Sequence, residues 1–252
     1  MSNGGKTRSA ILLAAGVGRR LGASHDGPKV LLGFDGRTLL ERHMAALVAN
    51  GVERLSITVG HRHEDIRAAV AEHTPAGLTV SFIDNSDYRQ GSLVSLRTQG
   101  AVLRAGEPVL LMDGDVLYDA RMIARLNGAP FENTLLVDRN IEPGDEPVKI
   151  CFRGETIVDF RKQPEHAHDW HGESVGFFRF SPATAAALAD RCDAYVKAGR
   201  TELEYEEAIR DLMLAEPARF GAADVTDLPW TEIDFEDDVA RARSEILPQL
   251  ES

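Results

Sequence analysis

The sequence predicts an α/β protein: a mixed, mainly parallel sheet flanked by helices, with a small extension toward the C-terminus. Three observations carry this. Short apolar runs rich in branched residues alternate with segments of helical spacing through the first 140 residues. Glycine-rich and acidic turn motifs fall where two of those runs end. Beyond residue 140 the rhythm changes to paired short runs followed by helical segments. Strand–helix alternation implies parallel strands joined by right-handed crossovers, with ligands at the strands' carboxyl ends.

Taken in order, Ser9–Ala14 reads as a buried first strand. Leu39, Leu40, His43, Leu47 and Val48 share one helical face, and Asn50-Gly51 is a C-terminal stop. Leu55–Val59 and Thr79–Ile83 read as strands around a helix marked by Ile66, Ala69 and Val70. Leu93, Leu96 and Val102 mark a third helix, before strands at Val109–Met112 and Thr134–Val137. Val148–Phe152 and Thr156–Phe160 form a hairpin across Arg153-Gly154-Glu155, and Ser174–Phe180 is a further strand. Helices are expected at about 182–198, 205–215 and 236–246. Glu142–Glu146 and Pro164–Gly172 read as loops, and residues 1–8 as a loose polar tail.

At 252 residues, 43% hydrophobic and 27% charged, the composition is that of a soluble globular chain. The longest apolar runs fall short of a membrane span, and no charged-then-apolar leader opens the sequence. Cys151 and Cys192 offer neither metal spacing nor a disulfide framework, which fits a reducing cytoplasm. A net charge of −12 argues against nucleic acid or an anionic membrane as partner. The charge is unevenly spread. Lys6, Arg8, Arg19, Arg20 and Lys29 face Asp26 alone in the first 29 residues, whereas residues 201–252 carry fifteen acids against four arginines. A basic pocket in an acidic body suits a polyphosphate ligand, with carboxylates elsewhere free to hold a cation.

The most informative stretch is residues 11–29, where a strand ends in Leu13-Ala14-Ala15-Gly16-x-Gly18, then Arg19, Arg20, Gly22 and Pro28-Lys29. Glycines let main-chain N–H groups converge on an anion, and arginine and lysine neutralise it. The spacing G-x-G-x-x-x-G is neither the dinucleotide fingerprint nor a Walker loop, so a nicotinamide-dependent dehydrogenase is disfavoured. Asp113-Gly114-Asp115 places two carboxylates at the end of another strand, with Gly114 letting the backbone turn tightly between them. Magnesium takes hard oxygen ligands of this kind together with phosphate oxygens. Asp234, in Trp230-x-Glu-Ile-Asp, is either a second such ligand or the N-cap of the acidic helix that follows. His166, His168 and His171 have spacings that could bind zinc, but are read as residues of a solvated loop.

Leu-Ala-Ala-Gly-x-Gly-x-Arg-Leu followed by Pro-Lys resembles the signature loop of the nucleotidyltransferases that make sugar nucleotides and CDP-activated headgroups. The resemblance runs over residues 9–248 and implies a Rossmann-like, nucleotide-diphospho-sugar transferase-like fold in a single domain. Residues 9–140 would mainly bind nucleotide, and 141–248 the acceptor and a second metal ligand. It implies that Leu13, Ala14, Ala15, Gly16, Gly18 and Arg19 wrap the triphosphate, with Arg20 and Lys29 catalytic. Asp115 and Asp234 would jointly hold Mg2+, with Asp113 beside the nucleotide. The stretch Asp87–Ser92 resembles a cytidine-contacting segment, which with Val59-Gly60 brings Gly60, Gly91 and Ser92 to the base.

Lys162 matches a lysine that grips the acceptor's phosphate or phosphonate. The order Glu173-Ser174-Val175-Gly176, Tyr205-Glu206-Glu207, Trp230-x-Glu-Ile-Asp is similar to that of cytidylyltransferases acting on 2-aminoethylphosphonate or phosphocholine. The implied partners are CTP and a small phosphonate or phosphate, and the resemblance is compatible with a homodimer. An acceptor bearing an ammonium group needs carboxylates or an aromatic face around it, for which Asp145, Glu146, Glu173 and Trp170 are the candidates. Sugar or polyol phosphate acceptors, a molybdopterin nucleotidyltransferase, a non-catalytic nucleotide-binding module and an Asp-x-Asp glycosyltransferase are the alternatives. The glycosyltransferase leaves Arg20 and Lys29 idle.

Overall fold

The computed structural model describes residues 7–21, 27–141, 144 and 146–250, with Arg19 described by its backbone alone. Gly22, Asp145 and residues 1–6 of the expected tail lie outside these residues. Thr7 is buried and the carbonyl of Arg8 accepts from the amides of Glu53 and Arg54, so residues 7 and 8 are tied to the body.

Continuous apolar runs need cover on both faces, and the sheet provides it. Strand β1 (Ser9–Ala14) leads through a two-residue hairpin, β2 (Gly33–Phe34) and β3 (Arg37–Thr38), into helix α1 (Leu39–Ala49). Thr38 caps α1 in a reciprocal box with Glu41: its Oγ1 accepts from the Glu41 amide at 3.2 Å, and its own amide donates to the Glu41 carboxylate at 2.8 Å. Then follow β4 (Arg54–Val59), α2 (His63–His73), β5 (Thr79–Asp84), α3 (Ser92–Thr98), α4 (Gly100–Leu103), β6 (Val109–Asp113), β7 (Val116–Tyr118), α5 (Arg121–Gly128) and β8 (Asn133–Asp138). The second half holds β9 (Lys149–Arg153), β10 (Thr156–Arg161), β11 (Trp170–Phe180), α6 (Pro182–Lys197), α7 (Glu206–Ala215), β12 (Phe220–Asp224), β13 (Trp230–Glu232) and α8 (Glu236–Arg241).

The main sheet runs β10-β9-β11-β6-β1-β4-β5, with β8 on the far part of β11 and β12 beyond β8. Strands β5, β4, β1 and β6 are parallel, whereas β11 is antiparallel to β6, β8 and β9. The mixed, mainly parallel α/β architecture is therefore present. One core packs α1, α2 and α5 against one face through Leu40, Met44, Ile66 and Ile123. A second packs α3, α6 and α7 against the other through Leu96, Leu188, Ile209 and Phe178.

Several sequence expectations are corrected. Strand β11 begins at Trp170, so the end of the expected 164–172 loop is strand, paired to β9 in register Trp170↔Phe152. Strand β12 was not foreseen; Phe220-Gly-Ala-Ala-Asp has little β propensity and is held by pairing with β8. The last helix divides, α8 ending at Arg241 and a wider π turn covering Ala242–Ile246. The antiparallel ribbon β7–β13, with Trp230 opposite Tyr118 and Glu232 opposite Val116, was also missed. It matters most for the site.

Candidate active site

The site forms where the loops after β1 and β6 meet. The amide of Gly114 donates to the Leu13 carbonyl at 3.0 Å, and that of His61 to the Ala15 carbonyl at 3.2 Å, so the glycine loop is gripped from both sides. A Cβ at Gly114 would lie 2.8 Å from the Leu13 oxygen, so no larger residue allows this approach. Arg20 is carried on a tight turn closed by the Leu21 amide on the Gly18 carbonyl, and Lys29 opens a second tight turn after Pro28.

The ribbon β7–β13 then brings residues 232–234 alongside Asp115. The Ile233 amide donates to the Asp115 carbonyl at 2.9 Å, and Ile233 is buried in a third core with Leu21, Phe34 and Leu117. Alternation along this strand turns Trp230, Glu232 and Asp234 the opposite way, toward the cavity. Lys29 Nζ lies 2.8 Å from Asp115 Oδ2 and 2.6 Å from Asp234 Oδ1. Burial pulls the Lys29 ammonium down, but Asp115 and Asp234 outweigh it and hold it above its ordinary value. Arg20 reaches Asp234 at 3.1 Å and Glu146 at 3.4 Å.

Carboxylate oxygens of Asp115, Glu232 and Asp234 all lie within 4.8 Å of one another. Glu232 faces the cavity, yet surrounding protein and then Asp115, Asp234 and Asp113 push its carboxyl well above its usual range. Lys29 and Arg20 bring two positive charges to three carboxyls. Three hard oxygen donors gathered in this way fit a divalent cation such as magnesium. Asp113 is separate: Tyr205 Oη donates to its Oδ2 at 2.6 Å, while burial, then Asp115 and Glu206, raise its carboxyl well above the usual value.

Two adjoining cavities result. Leu13, Ala14, Gly16 and Gly18 line one of about 280 Å³, with Tyr88 and Arg89 opposite. The other, of about 660 Å³, extends over the second half of the chain. Arg20, Lys29, Asp115 and Asp234 line both. Ser92, Asp113, Glu146, Lys162 and Glu173 line the larger, so the structure brings these expected residues together. Ala15, Gly60 and Gly91 are not among the lining residues. Gly60 packs against Tyr88 and the Ala15 carbonyl, and Gly91 against the backbone of residues 202 and 203, so they support the walls.

The far end of the larger cavity holds Asp138, at the end of β8, and Glu173, its register partner on β11. Trp230 Nε1 donates to Asp138 Oδ2 at 2.8 Å. Burial, then the neighbouring Asp138, pushes the Glu173 carboxyl up to about 7. Lys162 Nζ approaches Glu204 at 3.2 Å and Glu146 at 3.3 Å. Trp170 is not brought to this cavity. Its ring stacks on Phe152 at 3.9 Å, and the Arg139 guanidinium lies 4.3 Å from its centroid. The aromatic residue at the cavity is Trp230 instead. The three histidines do not converge on one point: His166 faces Asp159 at 3.1 Å, while His168 Nε2 meets His171 Nδ1 at 3.1 Å.

Asp138, Trp230, Glu232 and Tyr205 were missed as site residues. For Trp230 and Glu232 a signal existed, since both stand at two-residue spacing from Asp234. For Asp138 none did, because only the pairing of β8 with β11 brings it to Glu173.

Glycine loop, converging cations and carboxylates at the carboxyl ends of parallel strands define a nucleotide-dependent transferase. The family description "MobA-like NTP transferase domain" matches residues 10–168, and the chain belongs to that family. It is 36% identical over 232 residues to 2-aminoethylphosphonate cytidylyltransferase of Lancefieldella rimae, covering 83% of this chain and 82% of that one. It is 27% identical over 249 residues to CMP-5'-(3-aminopropyl)phosphonate synthase of Streptomyces rubellomurinus, covering 96% of this chain and 39% of that protein. The chain thus spans less than two thirds of the length of several relatives that it matches. The inositol-1-phosphate CTP transferase structure from T. maritima superposes with a TM-score of 0.77 at 22% identity, covering 98% of this chain and 99% of that one. Among the described residues, no helix is long and apolar enough to cross a membrane.

Proposed function

We propose that this chain transfers a cytidylyl group from CTP to a small phosphonate or phosphate that carries an amine, releasing pyrophosphate. The observation that carries the reading is a pair of adjoining cavities that share Gly16, Arg20, Lys29, Asp115 and Asp234, one suited to a polyphosphate and the other to an amine at its far end. Gly16, Gly18, Arg20 and Lys29 form the first. Asp138, Glu173 and the Trp230 indole form the second, where a buried carboxyl beside another carboxylate attracts a cation. Lys162 lies between them for the acceptor's anionic group. The names of the two phosphonate relatives agree with an aminoalkylphosphonate as first choice and phosphocholine as second.

In this reading an acceptor oxygen attacks the α-phosphorus in line. The new P–O bond forms as the bond to the β-phosphate oxygen breaks, and pyrophosphate leaves with the electron pair. An acceptor already ionised at neutral pH has no proton to lose, so no general base is assigned. The work of the side chains is to align two anions and suppress their repulsion. Arg20 and Lys29 hold the triphosphate, and Lys162 holds the acceptor. Magnesium would be held by Asp115, Glu232 and Asp234, and when bound supplies charge neutralisation at the phosphates.

The test is a matrix of the four nucleoside triphosphates against 2-aminoethylphosphonate, 3-aminopropylphosphonate, phosphocholine and a hexose 1-phosphate, read by pyrophosphate release with magnesium present. Turnover with CTP and an amine-bearing acceptor is expected. Turnover with sugar phosphates alone, or with UTP or GTP alone, overturns the reading.

A further inference from the structure

The histidines around the start of β11 take no part in the reaction proposed above, yet two of the three rings meet. His168 Nε2 lies 3.1 Å from His171 Nδ1, with the ring centroids 5.2 Å apart and the planes at 70°. Two ring nitrogens at that distance are a donor and an acceptor, so one of them is a bare lone pair. The other contact of His168 says which. Its Nδ1 lies 2.9 Å from the His166 carbonyl oxygen, which can only accept, so Nδ1 holds the proton and Nε2 of the neutral ring holds none. His171 Nδ1 therefore donates to His168 Nε2. Both rings stand on fixed backbone. His171 lies in β11 opposite Cys151 of β9. The Asp169 amide donates to the Phe152 carbonyl at 2.7 Å, and Arg153 Nη2 to the Ala167 carbonyl at 2.7 Å. The residues on either side of His168 are thus tied to the β9–β10 hairpin. His166 is no third member, because its ring faces Asp159 at 3.1 Å.

We infer that His168 Nε2 and His171 Nδ1 form a chelating site for a divalent transition metal of the zinc class. An ion bonded to both nitrogens at about 2.0–2.1 Å, across their 3.1 Å separation, subtends an angle of about 100°, between square and tetrahedral geometry. The hydrogen on His171 Nδ1 moves to its Nε2 through solvent, the freed lone pair turns to the metal, and the neutral pair releases no net proton. The Nδ1–H of His168 on a backbone carbonyl is the support that orients a metal-binding imidazole and raises its basicity. Imidazole suits zinc, nickel and copper, whereas magnesium and calcium prefer oxygen. The site therefore differs in kind from the carboxylate cluster of Asp115, Glu232 and Asp234, and neither ring lines the two cavities. Two protein ligands leave the ion's other positions to water, which makes this an exchangeable site and not a closed structural centre. It stands independently of the reading given under Proposed function.

The experiment titrates zinc into the full chain by calorimetry in excess magnesium, which competes for carboxylate oxygens and not for imidazole. Wild type, His168→Ala, His171→Ala and His166→Ala are compared. Zinc binding to wild type is expected to weaken by at least about tenfold in His168→Ala and in His171→Ala, and to stay within about twofold in His166→Ala. A substitution that loosened the loop would also weaken binding, so the second measurement needs no variant. Wild type is treated with diethylpyrocarbonate with and without zinc, and the modified histidines are mapped by mass spectrometry. Zinc is expected to protect His168 and His171 and to leave His166 reactive. No zinc uptake by wild type below about 1 mM, equal weakening in His166→Ala, or failure of zinc to protect His168 and His171 over His166 overturns the proposal.

Discussion

Replacing Glu173 by glutamine isolates the proposed amine end of the larger cavity. The side chain is 7% exposed, faces Asp138 across the β8–β11 register, and has its carboxyl pushed up to about 7. Glutamine keeps the shape and removes the charge. A hydrogen bond to a charged group is worth about 1.5–3 kcal/mol, which predicts a loss of about 10- to 150-fold in kcat/KM for 2-aminoethylphosphonate. Ethylphosphonate, which has no amine, loses little.

The pH dependence gives a second reading of the same carboxyl. The ionised form attracts the ammonium, so preference for the amine acceptor is full above about pH 7 and declines as pH falls through that value. Ionisation of the phosphonate itself affects both acceptors alike and cancels in their ratio. The assay is pyrophosphate release with each acceptor from about pH 6 to pH 8, reported as the ratio of kcat/KM values. Equal losses for both acceptors in Glu173→Gln refute the reasoning, as does a wild-type ratio independent of pH.

The proposed magnesium site predicts that Asp115→Asn and Asp234→Asn each lower kcat by at least about 10²-fold while circular dichroism and Tm stay near wild type, and that chelation of divalent ions abolishes turnover in the wild-type chain. Arg210→Met breaks the ion pair to Asp159, whose side chain is 0% exposed and whose other oxygen holds the amides of Glu165 and His166. The expected cost is about 3–5 kcal/mol in denaturant unfolding, and a loss below about 1 kcal/mol refutes it. At Gly176, with φ of +77°, an added Cβ would lie 2.2 Å from Asp113 Oδ2. Gly176→Ala therefore has to displace Asp113 from Tyr205, and is expected to destabilise the chain by at least about 1 kcal/mol by the same measure.

What could be read from the sequence was what neighbouring residues decide. The first strand and the Leu39–Ala49 helix follow from local periodicity and the Asn50-Gly51 stop. The glycine loop and the Asp-Gly-Asp turn announce themselves by chemistry that needs no knowledge of distant segments. What escaped was set by pairing across the chain. The three-residue strands 116–118 and 230–232 are too short to show a period, and each is a strand because of the other. Trp170 and Trp230 show the same limit. Both precede acidic strand residues, and only packing on Phe152 decides that Trp170 is spent in the wall while Trp230 reaches the cavity. Glu146 was expected beside an amine, but its neighbours are Arg20 and Lys162, which makes it a partner of cations already in the protein.

The short ribbon between residues 116–118 and 230–232 also fixes when the molecule can first work. During synthesis the phosphate loop and the first aspartate leave the ribosome more than a hundred residues ahead of Glu232 and Asp234. Until residues 230–232 emerge and pair with Val116–Tyr118, Lys29 has one counter-charge and the carboxylate cluster one member. In the proposed reading competence therefore arrives late and abruptly, since a nascent or truncated chain ending before the ribbon closes lacks Glu232 and Asp234.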